Sequence, residues 1–406
     1  MTIQASAATE IIDRDPIARL QLNARTHMPA LDGLRGLAII TVVWHNTALT
    51  GNGAGMSELA KFLSLFANMG WVGVQLFFVL SGFLITGILL DEKGAPQQLR
   101  NFYMRRVLRI FPIYYAVLLV AFIILPALGS APIWSVANKS NEIWYWLYLV
   151  NWDIPIEGGG GGLSHFWSLA VEEQFYLMWP LAVIALSPRA LSRLCLILVV
   201  SAPIARAVMI HNDLEFATWA AYEFTFSRWD ALAIGALLAL VIRHRAWLEW
   251  SAALLPKMLY VALAYVAIYV ALNHNFAAVA HGLAALNQSV AALLFAAALF
   301  NGLFSSLPNG SRWQALLGNR ALRTVGKYSY AIYVFHFPIV VSLNAAWQQR
   351  FGEFQHMNPV LDNSMRVLLV ALFSYLLAVC SWYVLEQPCL RLKRFFINAK
   401  RPALQG

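Results

Sequence analysis

The chain returns repeatedly to apolar stretches of about twenty residues, the length an α-helix needs to cross roughly 30 Å of hydrocarbon. Ten of them are read as spans, centred on residues 33–51, 70–90, 110–129, 165–187, 190–210, 228–243, 254–272, 284–306, 327–347 and 366–386. A hydrophobic content of 60%, a charged content of only 12% and a mean hydropathy of +0.61 agree with that reading. The sequence therefore predicts an all-α fold, a polytopic transmembrane helix bundle of about ten spans.

Lys and Arg stay on the cytoplasmic side when such a bundle inserts, so their positions check the spans independently. With the N-terminus in the cytoplasm, 23 of the 29 basic residues fall in inner segments, while Lys61, Lys139, Arg228, Arg350 and Arg366 lie outside and Arg206 lies within a span. An even number of spans puts both termini inside. Residues 1–30 and 389–406 are then cytoplasmic tails flanking a transmembrane domain over 31–388, with no cleavable signal and no fused soluble domain expected. The net charge of +9 is spread over every inner loop, which argues against nucleic acid as a partner. Cys195, Cys380 and Cys389 are odd in number and lack metal-ligand spacing, so neither a disulfide framework nor a metal site is expected.

Ionisable residues deep in a span are costly and mark working sites more often than scaffold. His45 lies ten steps along the helix from Arg35 at the inner face, a rise of roughly 15 Å, and His336 lies nine steps from Lys327, roughly 13 Å. The two imidazoles are expected at one depth and in one cavity. Glu172 and Glu173 are adjacent and so point about 100° apart, which predicts one glutamate facing the cavity while the other pairs with a neighbouring helix, with Arg206 and Arg228 as candidate partners, or accepts hydrogen bonds. Ser81-Gly82 suits close helix approach. Arg105, Arg106 and Arg109 cluster where the third span begins, and arginine forks there fit a phosphorylated cytoplasmic ligand, although positive-inside bias alone also accounts for them. Between the third and fourth spans, the aromatic run Trp144 to Tyr148 fits an interfacial helix, and Gly158 to Gly162 fits either a hinge for His165 or a plain linker. These residues leave two classes open, a membrane enzyme using histidine as base and a proton-coupled transporter of a polar solute. The absence of a visible internal repeat favours the enzyme.

Several motifs occur in a fixed order: Leu31-Asp32-Gly33-Leu34-Arg35-Gly36 leading to His45; Phe77-Phe78-Val79-Leu80-Ser81-Gly82-Phe83; Arg105-Arg106-Val107-Leu108-Arg109; Trp167-Ser168-Leu169-Ala170-Val171-Glu172-Glu173-Gln174; Arg228-Trp229-Asp230; Tyr330 with Tyr333, His336 and Pro338; and Glu386-Gln387-Pro388. In this the chain resembles the membrane acyltransferase-3 family over nearly its whole length. The resemblance implies a bacterial inner-membrane O-acyltransferase that uses cytoplasmic acyl-CoA, most simply acetyl-CoA, and acylates a hydroxyl of a sugar, polysaccharide or glycolipid precursor. It also implies membrane lipid and polysaccharide-assembly machinery as partners. His45 matches the family's catalytic histidine, Arg35 its paired basic residue, Arg106 and Arg109 its Arg-x-x-Arg motif, and Glu172 and Glu173 its paired glutamates. The CoA phosphates are then expected on Arg35, Arg105, Arg106 and Arg109, with Ser81, Tyr330, Tyr333 or His336 donating to the oxyanion and a glutamate orienting an imidazole.

One departure stands out, since the family usually leaves ten residues between the basic residue and the histidine and nine intervene here. Asn46 occupies the usual register, so a π-bulge or a shifted helix start is expected to re-aim His45, with His336 as the residue that inherits the role otherwise. Many relatives carry a periplasmic esterase-like domain after the helices; without one, the bundle is expected to complete the transfer or pass its product to another protein.

Overall fold

A computed structural model describes residues 28–48, 58–130, 141–157, 161–212, 217–273, 276, 282–304, 312–351 and 359–397. Residues 1–27 and 398–406 of the expected tails, and Gly158 to Gly160 of the glycine run, lie outside the described residues.

Among the described residues every regular element is helical. In order they are α1 (Pro29–Thr47), α2 (Glu58–Met69), α3 (Val72–Asp91), α4 (Gln98–Leu119), α5 (Glu142–Trp146), α6 (Val150–Glu157), α7 (Phe166–Ala185), α8 (Pro188–His211), α9 (Ala217–Glu223), α10 (Thr225–Val241), α11 (Arg245–Asn273), α12 (Asn287–Phe304), α13 (Arg312–Leu317), α14 (Arg320–Lys327), α15 (Ser329–Phe351), α16 (Pro359–Ser381) and α17 (Gln387–Arg391). Pro29 and Pro188 open α1 and α8, where a missing N–H costs nothing and the fixed φ suits a first turn.

Eight helical stretches are long and apolar enough to cross a membrane, so the protein is a polytopic bundle as the hydropathy predicts. The first and fourth expected spans, α1 and α7, are not among the eight. Their composition explains it: α1 carries Asp32, Arg35, His45 and Asn46, and α7 carries Glu172, Glu173 and Gln174, so polar residues interrupt the apolar run of each. The outer ring behaves as hydrocarbon-facing surface. Leu196, Ile197, Val200 and Ile204 on α8 and Val261, Ile268 and Leu272 on α11 are all exposed, in bands that only lipid satisfies.

Helix α3 is the axis of the bundle and packs against α1, α7, α10 and α12. Its crossing with α10 is reciprocal. A Cβ on Gly82 would overlap the Leu232 carbonyl, and one on Gly235 would overlap the Val79 carbonyl, so the two backbones touch where each helix lacks a side chain. The same device joins α1 to α14, where Gly36 faces the Leu322 carbonyl and Gly326 faces the Asp32 carbonyl. These contacts set the position of everything that lines the interior.

Candidate active site

Three cavities follow one another through the bundle. A mouth of ≈ 700 Å³ is lined by Arg35, Arg109, Arg320, Arg323 and Lys327 with Asp32 and Trp382. It shares Arg35 and Arg109 with a throat of only ≈ 100 Å³, whose walls include Arg106, Ser81, Glu172, Glu173, Tyr176 and Tyr330. The throat shares Val74 and Tyr333 with a chamber of ≈ 630 Å³ that holds His45, Asn46, His165, Tyr222 and Glu223.

Helix α1 runs past all three, placing Arg35 at the mouth and His45 in the chamber, a rise of roughly 15 Å along the axis. The helix is a regular α-helix to Thr47, so the expected π-bulge is not there; the π-turns lie at Val120–Ile124 and Trp382–Glu386 instead. His45 consequently stands in the last turn of α1. Its Nδ1 lies 2.7 Å from the Ala67 carbonyl, and a carbonyl only accepts, so Nδ1 carries the proton and Nε2 keeps its lone pair. Asn46, one step of about 100° further round, meets His336 instead, with its Nδ2 2.9 Å from Nε2.

His336 is fully buried, and its Nδ1 donates to the Tyr333 carbonyl at 2.6 Å. Both of its nitrogens are therefore engaged, whereas His45 lines the chamber with Nε2 as a free base. The two histidines do not share one cavity as expected, since His45 lines the chamber and His336 is packed behind it, linked through Asn46. A third imidazole joins them: the His165 ring lies 5.1 Å from that of His336, and its Nε2 donates to the Val334 carbonyl at 3.2 Å.

The glutamates face the throat, away from the imidazoles. Ser81 donates to Glu172 at 2.6 Å and accepts from Tyr176 at 2.9 Å, so Ser81-Gly82 supplies a hydrogen-bonding group as well as a close crossing. Both Glu172 and Glu173 line this one cavity, against the expectation that only one would, because the throat wraps far enough round α7 to reach side chains 100° apart. Neither pairs with Arg206 or Arg228. Arg206 is bound to Asp230, and Arg228 donates to Gln288 with its guanidinium 4.3 Å from the Tyr222 ring and 4.8 Å from Trp167.

The cationic cluster also divides. Arg106 and Arg109, three residues apart, share the cavity face. Arg105 points elsewhere and is tied to Glu92 at 2.5 Å and to the Phe396 carbonyl at 3.1 Å, which corrects its placement with the phosphate ligands. Arg320 and Arg323 stand with Arg35 and Arg109 at the mouth, and the topology alone assigns them only to an inner segment. The signal that finds them is their own Arg-x-x-Arg spacing, which repeats that of Arg106 and Arg109.

The four expected oxyanion donors are all committed. Ser81 donates to Glu172, Tyr330 to the Ile110 carbonyl, Tyr333 to the His165 carbonyl and His336 to the Tyr333 carbonyl. The aromatic run 144–148 is likewise more than an interfacial helix. Tyr145 and Tyr148 are buried, with Tyr148 stacked at 4.0 Å on Tyr114 and Tyr114 donating to the Tyr145 carbonyl at 2.7 Å.

The sequence profile of the acyltransferase-3 family, described as an acyltransferase domain, matches residues 28–385. The O-acetyltransferase OatA of Staphylococcus aureus is 29% identical over 395 residues, covering 94% of this chain and 60% of that protein. The peptidoglycan O-acetyltransferase OatA of Listeria monocytogenes is 26% identical over 411 residues, covering 92% of this chain and 57% of that protein. The chain thus spans little more than half the length of these relatives. No solved structure matches it.

Proposed function

Because the chain belongs to the acyltransferase-3 family, we propose that it is a membrane O-acetyltransferase that takes an acetyl group from acyl-CoA at the cytoplasmic face and transfers it to a hydroxyl of a sugar, polysaccharide or glycolipid precursor. The observation that carries this reading is a cationic mouth joined through one narrow throat to a chamber with a free imidazole nitrogen. The proposed setting is a bacterial inner membrane crossed ten times, with both termini in the cytoplasm and polysaccharide-assembly proteins as neighbours.

In the proposed mechanism Arg35, Arg109, Arg320, Arg323 and Lys327 bind the CoA phosphates, for which guanidinium forks are suited. The pantetheine arm enters the throat past Arg106, and Glu172 and Glu173 act there as positioning residues rather than as partners of an imidazole. His45 Nε2 takes the proton of the acceptor hydroxyl as its oxygen attacks the thioester carbonyl; the C–S bond breaks, and the proton passes to the departing sulfur. Asn46 holds one amide hydrogen on His336 and turns the other toward the chamber for the developing oxyanion, so His336 acts through Asn46.

The alternative, a proton-coupled transporter of a polar solute, is disfavoured by a throat of ≈ 100 Å³. Calorimetry of acetyl-CoA on the detergent-purified chain tests the proposal. Binding to the wild type that is lost in Arg106→Ala and Arg109→Ala is expected; a folded wild type that binds none refutes it.

A further inference from the structure

A basic imidazole is commonly held by a carboxylate, which fixes the tautomer and offsets the charge that forms when the ring takes a proton. Among the described residues no carboxylate bonds to His45, and its Nδ1 donates to the Ala67 carbonyl at 2.7 Å instead. Ala67 stands in the last turn of α2, where the final carbonyls lack intrahelical partners and the aligned peptide dipoles leave a partial negative charge. The Gly70 N–H meets the same carbonyl at 3.1 Å, which leaves the second lone pair for the imidazole.

Helix α2 reaches His45 because the turn joining it to α3 is bare where it meets α1. A Cβ on Gly70 would stand 2.5 Å from His45 Cβ and 2.5 Å from the Thr41 carbonyl oxygen. One on Gly73 would stand 2.4 Å from Thr41 Oγ1 and 2.6 Å from the Ala38 carbonyl oxygen. On the other side Trp71 braces the turn: its indole N–H donates to the Phe276 carbonyl at 2.9 Å, and its ring stacks on that of Phe276 at 5.6 Å. The turn is thereby pressed onto the last turn of α1 and kept from backing away.

We propose that the C-terminal end of α2, seated on α1 at Gly70, takes the place of a carboxylate as the positioning element of His45. The Ala67 carbonyl keeps the Nδ1 proton throughout, so Nε2 is the nitrogen that gains the hydroxyl proton and passes it to the departing sulfur. The negative helix end stabilises the imidazolium formed between those two steps. This role rests on the acetyl-transfer reading, whereas the tautomer is observable without turnover.

The test is nitrogen-15 NMR of the full chain, labelled at histidine and reconstituted in lipid, with His45 assigned by its loss in H45Q. The Nδ1–H form is expected in the wild type. In G70A the Nε2–H form is expected to reach at least half of the population. The maximal rate of CoA release from acetyl-CoA in native membranes then falls at least tenfold, while KM for acetyl-CoA stays within twofold because the cations of the mouth are untouched. The unfolding temperature verifies the fold. A wild type in the Nε2–H form overturns the proposal, as does a folded G70A with the wild-type tautomer or with an altered tautomer at an unchanged rate. Where G70A does not fold, W71F keeps a ring on Phe276 and removes the donor to its carbonyl; an unchanged tautomer in that variant overturns the proposal. A wild type in the Nδ1–H form that releases no CoA leaves the seating of His45 standing and refutes the acetyl-transfer reading.

Discussion

Asp230→Ala tests whether the chamber wall depends on one buried ion pair. Arg206 and Asp230 have no exposed side-chain surface and meet at 2.8 Å. Arg206 also donates to the Ala285 carbonyl at 2.8 Å, to Ser289 Oγ at 2.6 Å and to the Ser227 carbonyl, while Ser289 donates to Asp230 at 2.5 Å. The network ties α8, α10 and α12 together behind Arg228. Alanine at 230 leaves the guanidinium buried among neutral acceptors with no counter-charge. Removing one partner of such a pair costs about 3–5 kcal/mol, and the stranded Ser289 belongs to that figure instead of adding to it. Arg206→Met with Asp230→Leu removes both charges and is expected to return to within about 2 kcal/mol of the wild type. Cys195 on α8 is fully buried and reports opening when Cys380 and Cys389 are replaced by serine, so thiol labelling under native conditions serves as the assay. Where reclosing is fast, the single variant labels roughly 10²- to 4 × 10³-fold faster, at about 1.4 kcal/mol per tenfold. Labelling of the single variant within threefold of the wild type refutes the network's role. A double variant as labile as the single one refutes the explanation by stranded charge.

His45→Ala is expected to lower acetyl transfer by about 10²- to 10⁴-fold, the range of a general base, and His336→Ala by less, measured as steady-state turnover; the opposite order reassigns the base. Arg323→Ala, at the mouth, is expected to weaken acetyl-CoA about 10- to 100-fold through loss of one charged phosphate contact, with little effect on acetyl-pantetheine; equal losses on the two donors exclude a phosphate role. Gly235→Leu places side-chain atoms against the Val79 carbonyl and is expected to yield no monodisperse protein on size exclusion; a folded, active variant shows that α3 and α10 have room to separate.

Hydropathy makes the helical class legible because lipid imposes a length on each span, and the ordered motifs make the family legible over almost the whole chain. Residue spacing also places Arg35, Arg106 and Arg109 on one cavity. What sequence spacing misses is rotation and partner. A step of 100° separates Arg105 from Arg106 and sends it to Glu92, and the same step sends Asn46 to His336 while His45 turns to Ala67. Arg206 and Asp230 are 24 residues apart and on different helices, and nothing local marks them as partners. Glu223 belongs to no quoted motif; only the folded arrangement brings it to a cavity.

The narrow throat between two wide cavities has a consequence for the membrane as a barrier. The throat's ≈ 100 Å³ is small beside the ≈ 700 Å³ mouth and the ≈ 630 Å³ chamber whose walls it shares. Under the proposed reaction, the small space between the two larger cavities lets the acyl end of an extended arm meet its acceptor while the bulky ends of both molecules stay on opposite sides.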